Sequence, residues 1–216
     1  MRQFIIIFLA ALLPGCFGGP KIGKLHILLY YEPAAMEEAG KTSLNKEFPF
    51  NLEIKKLKLQ SLYDNAKVII RNSDHSVKFA SKGAWAIRPN ISATDILLET
   101  LKMNMKCKSI KKNFIDGTPD YFIDGEIVTI EEDYRKGSRN ASISIILRVS
   151  QARSSKILFE NIFKKTIPCR IPGYDALAQC FSFGIGEIYN EFAVKVIDIL
   201  NQELKLHNEK SKGQGL

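Results

Sequence analysis

The sequence predicts a single-domain α/β fold in which helices pack on a mixed, largely antiparallel sheet. Three long segments in the second half alternate apolar and polar residues, which is typical of strands with one buried face. A long segment near the end of the chain repeats apolar residues at helical spacing over a broad face, which favours packing against a sheet. The chain of 216 residues is also within the usual size of one domain.

The first half of the chain contains signals for two strands, a hairpin and a helix. They cover residues 25–31, 50–59, 67–81 and 89–107, respectively. The apolar residues of the second strand change phase midway, which indicates a bulge. Asn72-Ser73-Asp74 supplies the turn of the hairpin, and Pro89 stands where we expect the helix to begin.

The second half contains the three alternating strands and a long final helix. They cover residues 121–131, 141–150, 156–167 and 174–207. Gly184 and Gly186 each cost the helix about 1 kcal/mol relative to alanine, so either the backbone approaches a neighbour closely there or the helix breaks. We expect the acidic run Glu131-Glu132-Asp133 to be a solvated turn rather than a calcium site.

The amino terminus has the pattern of a secretory signal. Arg2 is followed by an apolar run at 4–13, which is the length of a signal-peptide core. A transmembrane helix needs roughly 20 apolar residues, so this run is too short to span a bilayer. The next segment, Leu13-Pro14-Gly15-Cys16, resembles the lipobox read by lipoprotein signal peptidase. We therefore expect cleavage before Cys16 and a membrane anchor of acyl chains on its thiol; the alternative is a free cysteine after an ordinary signal.

This interpretation divides the chain into four parts. They are a signal peptide at 1–15, a lipidated Gly-rich tether at 16–23, a folded domain at 24–208 and a basic flexible tail at 209–216. The formal net charge is +8, and the lysines are spread out without the aromatic or arginine-rich residues that usually read nucleic acid. We expect no nucleic-acid partner. The charge suits anionic lipid head groups, an acidic partner or simple solubility.

The remaining cysteines and the histidines indicate neither a metal site nor a cofactor. Cys169 and Cys180 flank the turn Ile171-Pro172-Gly173 and are the favoured disulfide pair, which leaves Cys107 as a free thiol. The three histidines are scattered and no metal-binding or nucleophile motif is present, so we expect no catalytic residue, no metal and no cofactor.

A set of short segments in the middle of the chain carries a family resemblance. The segments are Tyr63, Lys67-Val68-Ile69-Ile70-Arg71, Val77-Lys78-Phe79-Ala80, Trp85-Ala86 and Pro89. In this order, before a helix, they resemble the ABC-type transport auxiliary lipoprotein family, which includes the paraquat-inducible C-type lipoproteins that accompany mammalian-cell-entry (MCE) lipid transporters. The resemblance covers nearly the whole chain after the signal and implies a mixed α/β sandwich.

The resemblance implies a non-catalytic role. A lipid-anchored domain would dock on an MCE protein with its ABC permease and ATPase, and the complex would move lipids between membranes. Tyr63, Arg71, Trp85 and Pro89 are the family-motif candidates for partner binding. Trp85 is more simply a core residue, and Arg71 could instead pair with a neighbouring carboxylate.

Location and alternative functions follow from the same features. Phe17 after Cys16 lacks the aspartate that retains some lipoproteins at the inner membrane, so we favour the outer membrane, facing the periplasm. A homo-oligomeric ring would suit a symmetric partner. The alternatives are an assembly factor for an outer-membrane protein, a periplasmic carrier of a hydrophobic ligand and a surface-anchored hydrolase.

Overall fold

The computed structural model describes residues 25–30, 47–115 and 117–213. Its strands are β1 (Leu25–Ile27), β2 (Glu47–Ile54), β3 (Lys58–Leu59), β4 (Lys67–Ser73), β5 (Ser76–Trp85), β6 (Lys106–Lys111), β7 (Tyr121–Asp133), β8 (Asn140–Gln151) and β9 (Ile157–Pro168). Its α-helices are α1 (Pro89–Asn104) and α2 (Tyr174–Gly213), and a 3-10 turn covers Ser61–Tyr63. The signal peptide, Cys16 and the tether lie outside the described residues.

Strand β7 is the centre of the sheet. On one side it pairs antiparallel with β8 along nearly its whole length. On its other side β2, β3 and β4 pair with it in succession, all in parallel. β9 extends the sheet beyond β8, also antiparallel, while β6 lies outside β2, and β5 and β1 lie outside β4. The two longest pairings are antiparallel, so the predicted mixed, largely antiparallel sheet is confirmed.

Helices α1 and α2 lie side by side on one face of the sheet. Phe181, Ile188 and Phe192 of α2 are fully buried, and the ring of Phe192 lies 5.9 Å from that of Phe163 on β9. Burying each large apolar side chain stabilises the fold by about 1.5–3 kcal/mol. The predicted apolar stripe therefore holds α2 against β8 and β9.

Of the two alternatives for the helical glycines, close approach to a neighbour is observed at Gly184, and a break in the helix is not observed. The helix runs without a break through Gly184 and Gly186. A Cβ atom on Gly184 would lie 2.6 Å from Ile143 Cδ1 and 3.0 Å from Ile167 Cγ1. The missing side chain at Gly184 lets α2 approach the sheet closely.

The predicted strand at 50–59 is two strands. The chain leaves β7 after Lys55, whose N–H donates to the Ile123 carbonyl at 2.8 Å. Leu57 then turns toward α1, because its N–H donates to Thr94 Oγ1 and its carbonyl accepts from Asn90 Nδ2. The change of phase in the sequence marks this detour, after which β3 rejoins β7.

Helix and strand ends also differ from the prediction. α1 ends at Asn104, and the next residues form β6, which pairs in parallel with β2. Cys107, predicted at the end of the helix, is therefore in a strand. The apolar pattern of the helix weakens after Leu101, and pairing with β2 determines the structure of the residues that follow. β1 ends at Ile27, and α2 continues to Gly213, into the segment predicted as a tail.

Candidate functional site at the arginine–carboxylate end of the sheet

The acidic run Glu131-Glu132-Asp133 lies inside the sheet, at the end of β7, so the predicted solvated turn is wrong. The three residues are 1%, 4% and 7% exposed. Each carboxylate pairs with a different arginine, namely Arg71, Arg139 and Arg135 in that order. A buried charge without a partner is very costly, so these arginines are what allow three acids to end a buried strand.

Glu131 joins two residues that the family motif singled out. The Tyr63 hydroxyl donates to Glu131 Oε2 at 2.7 Å, and Arg71 Nε donates to Oε1 at 2.5 Å. Burial, assisted by the hydrogen bond to Glu131, raises the pKa of Tyr63 to about 12. The same carboxylate raises the pKa of Arg71, which is therefore fully charged at neutral pH. The simpler expectation for Arg71, a neighbouring carboxylate, matches this contact.

The other two arginines connect three loops at one end of the sheet. These are the turn at 74–75 and the loops at 134–139 and 169–173, which together form the three-loop end. Arg139 pairs with Glu132 at 2.5 Å and donates to the carbonyls of Ile171 and Gly173, each at 2.7 Å. These hydrogen bonds hold the loop that leads into α2.

Arg135 links the same end to the hairpin. Arg135 bonds Asp133 at 2.7 Å and Asp74 at 3.0 Å. The hydrogen bonds from Arg135 hold the pKa of Asp133 below its ordinary value. Each of the three acids of the run thus pairs with an arginine that holds the fold together at this end of the sheet.

A shallow cavity of about 370 Å³ lies beside this cluster, on the sheet face opposite the helices (the open face). Its walls carry the hydroxyl side chains of Thr129, Ser142, Ser144 and Thr166. Its cationic side chains are Arg71, Arg135 and Lys164. Glu131 is its one carboxylate among the described residues. Lys165 also borders the cavity, but its side chain lies on the helix side of the sheet and pairs with Glu191 of α2. The cavity combines hydroxyl donors from three neighbouring strands with an excess of positive charge.

Trp85 and Pro89 lie on the helix side, away from the cavity. Trp85 is 5% exposed, and its ring lies 5.5 Å from that of Phe181 on α2. Pro89 is buried in the first turn of α1, where proline's fixed φ suits a helix start. The structure therefore brings Tyr63 and Arg71 together but places Trp85 and Pro89 in the helix–sheet packing.

The cysteines occupy two environments. Cys169 and Cys180 bring their sulfur atoms together with Cα atoms 6.2 Å apart, inside the range that a disulfide requires. The bond itself stays a prediction. Cys107 on β6 is a partly buried thiol, and burial raises its pKa to about 12. Such a thiol is a poor nucleophile at neutral pH.

Sequence reasoning did not find Glu131, Arg135, Arg139 or Lys164 as site residues. The only signal in the sequence was the proximity of Arg135 and Arg139 to three consecutive acids. No helix in the described parts of the chain is long and apolar enough to span a bilayer. The same residues hold no group of three or more His, Cys, Asp or Glu side chains arranged to bind a metal ion.

These features define a small α/β domain that carries its helices on one face of the sheet and pairs its buried carboxylates with arginines. The chain belongs to the family described as the ABC-type transport auxiliary lipoprotein component, whose model matches residues 31–193. The resemblance drawn from the sequence is thereby confirmed. A search of curated protein sequences found no match.

Solved structures share the fold at low sequence identity. A protein from Xanthomonas campestris of family DUF330 is 13% identical, with a TM-score of 0.68 over 84% of this chain and 98% of its own. An uncharacterized protein is 12% identical, with a TM-score of 0.61 over 81% and 97%. A hypothetical protein from Chlamydia trachomatis is 10% identical, with a TM-score of 0.50 over 70% and 98%.

Proposed function

We propose that the protein is a lipid-anchored, non-catalytic auxiliary component of an ABC transport system of the MCE type, which moves lipids between the membranes of the cell envelope. The observation that carries this proposal is the family match over residues 31–193. In this proposal acyl chains on Cys16 hold the domain on a membrane, with the outer membrane favoured. The permease and ATPase are separate chains, and the energy comes from them.

The chemistry of the described residues supports a role without catalysis. The carboxylates of Glu131, Glu132 and Asp133 are each neutralised by an arginine. Burial raises the pKa of Cys107 and of Tyr63 to about 12, so neither would ionise readily as a nucleophile or general base. The charged side chains thus stabilise the fold and shape its surface.

Burial also suggests how the family-motif residues would serve a partner. Tyr63, Trp85 and Pro89 are buried, and the Arg71 side chain is 17% exposed. We propose that these residues act mainly from beneath the contact surface, by fixing the hairpin and the start of α1. Direct contact with an MCE protein would then fall to exposed residues on the open face and the three-loop end. Self-association remains a prediction.

Purification of the full-length, acylated protein in mild detergent tests the function. Mass spectrometry of the recovered proteins should identify an MCE protein with its permease and ATPase. A Cys16→Ala variant is the control for recovery that depends on the anchor. Recovery of an outer-membrane barrel instead would indicate an assembly factor, and recovery of lipid alone would indicate a carrier. Either of these results would refute the transport role.

A further inference from the structure

The cavity on the open face contains polar groups that the framework does not use. Lys164 makes no ion pair, and the hydroxyls of Ser142, Ser144 and Thr166 make no hydrogen bond, with any residue that the structure describes. By contrast, Arg71, Arg135 and Lys165 already pair with carboxylates. Lys164 and the hydroxyls are therefore the groups that are free to bind a ligand.

These groups form a patch because the pairing of β8 with β9 puts them on one face. Ser142 lies opposite Thr166, and Ser144 lies opposite Lys164. The residues between them, such as Ile143 and Ile145, point toward the helices and are buried. A hydroxyl and an ammonium group on adjacent strands can together donate several hydrogen bonds to one anion, and bonds to a charged acceptor are the stronger kind.

An apolar strip continues from the patch along the same two strands. Ile146 lies opposite Ile162, directly after the pair of Ser144 and Lys164. Ile162 is 41% exposed, on a strand at the edge of the sheet. An ionic cluster of Arg148 with carboxylates follows and ends the strip. The open face therefore presents a patch of hydroxyls with one lysine (the hydroxyl–lysine patch) and then a short apolar strip, which is the order of polar and apolar groups in an amphiphile.

The number of residues between Cys16 and β1 limits how far the domain can lie from a membrane that holds Cys16, and thereby which end of the domain faces that membrane. Leu25 pairs with Gly83, and a Cβ on Gly83 would touch the ring of Tyr174, so β1 begins beside the start of α2. Nine residue steps separate Cys16 from Leu25, which span at most about 30 Å. Helix α2 has 40 residues and is about 60 Å long. A membrane that holds Cys16 therefore lies near the three-loop end.

The cavity lies at this same end of the molecule. Arg135 borders the cavity and belongs to the loop at 134–139. Arg139 of that loop bonds the carbonyl of Gly173, immediately before α2. The hydroxyl–lysine patch is consequently at the end of the domain within reach of the anchoring membrane.

We propose that the open-face cavity binds the phosphate of a phospholipid headgroup in the membrane that holds the anchor. Lys164 and the hydroxyls of Ser142, Ser144 and Thr166 contact the phosphate, and Ile146 and Ile162 contact the apolar part of the same lipid. This inference rests on the lipid-anchored role proposed above. A free phosphate ion has the same headgroup chemistry but would not use the apolar strip.

The test is a binding titration of the full-length, acylated protein in a nonionic detergent. The probes are dihexanoyl phosphatidic acid, dihexanoyl phosphatidylcholine and inorganic phosphate, with affinity measured by microscale thermophoresis. We expect the phosphatidic acid to bind most tightly. Lys164→Glu should weaken its binding about tenfold or more, because a bond to a charged group contributes about 1.5–3 kcal/mol.

Two further variants separate the parts of the site. Lys156→Glu makes the same charge change on an exposed lysine at the other end of the β8–β9 hairpin and should change the affinity less than twofold. Ile162→Ser should weaken the lipid and leave inorganic phosphate unchanged. Both positions are exposed, so the fold should persist, and circular dichroism checks this.

Equal affinities for the Lys164→Glu and Lys156→Glu variants would overturn the site. If inorganic phosphate binds as tightly as the lipid and Ile162→Ser has no effect, the ligand is the ion and the lipid assignment is wrong. The purification described under Proposed function distinguishes an error in this lipid site from an error in the proposed transport role. A wild-type protein that recovers the transporter but binds no lipid refutes only this inference.

Discussion

Removal of Arg71 should destabilise the protein far more than removal of an exposed arginine with an equally short ion pair. Arg71→Ala leaves the Glu131 carboxylate, 2% exposed, with the Tyr63 hydroxyl but without its cation. Breaking a buried pair in this way costs about 3–5 kcal/mol. Because the Arg71 side chain is itself 17% exposed and water can approach, we expect the lower value, about 3 kcal/mol.

The matched control is Arg88→Ala. Arg88 pairs with Asp64 at 2.6 Å, but the two side chains are 57% and 49% exposed. Exposed pairs contribute at most about 1 kcal/mol, so this variant should unfold at nearly the wild-type urea concentration. Urea unfolding at pH 7 measures both. For an m-value of about 2 kcal/mol per molar, Arg71→Ala should lower the midpoint by about 1.5 M.

The double variant Arg71→Met with Glu131→Leu checks the reason for the loss. Replacing both members of a buried pair by apolar residues of similar size is often neutral, so the double variant should recover much of the lost stability. Equal midpoint shifts for Arg71→Ala and Arg88→Ala would refute the buried-pair reasoning, whatever the double variant does.

Three other predictions follow from the structure. In the folded state the pKa values of Tyr63 and Cys107 are raised to about 12, from ordinary values of 10 and 9. Because the unfolded state therefore loses these protons at lower pH than the folded state, the free energy of unfolding should fall as the pH rises from 9 to 12. Urea titrations at pH 8 and pH 10.5 check this, and Cys107→Ala should show a smaller fall. Gly125→Ala should destabilise by about 3 kcal/mol, because its Cβ would lie 2.0 Å from the Ile146 carbonyl oxygen, which is backbone. Gly184→Ala should destabilise less in the same assay, because its Cβ would meet the side chains of Ile143 and Ile167, and alanine favours the helix by about 1 kcal/mol over glycine. Cys169→Ala with Cys180→Ala should lose about 3 kcal/mol in oxidised protein, the loop-closure value for this spacing, and nothing after reduction.

The elements with a strict pattern were predictable from the sequence. The alternation in β8 and the spacing of apolar residues in α2 arise because one face of each is buried against the other. The turn residues around Asp74 identified the hairpin of β4 and β5. Each of these signals lies within one short segment, so it can be recognised without knowing which distant segments pack against it.

Other features depend on partners that are distant in the chain. β6 is a short lysine-rich strand, and among the described residues it pairs in the sheet with β2, about sixty residues earlier. The acidic run resembled a solvated turn because the arginine that neutralises Glu131, Arg71, is 60 residues away. Likewise the cavity joins residues of β4, β7, β8 and β9, and no local pattern predicts that they meet. The sequence showed the hydroxyls on β8 as the polar positions of an alternating strand. It did not show that Lys164 lies beside them, because that depends on the pairing of Lys164 with Ser144.

We propose that this protein works as part of an ABC transport system. The most direct measurement is the reciprocal purification. The ATPase recovered with the protein is tagged, and the transporter is purified from membranes of cells that carry wild-type chain or the Cys16→Ala variant. Quantitative mass spectrometry then measures how much of this chain accompanies the ATPase. We expect a fixed ratio of wild-type chain to ATPase and a large loss for the variant. Absence of the wild-type chain from the purified transporter would contradict the account.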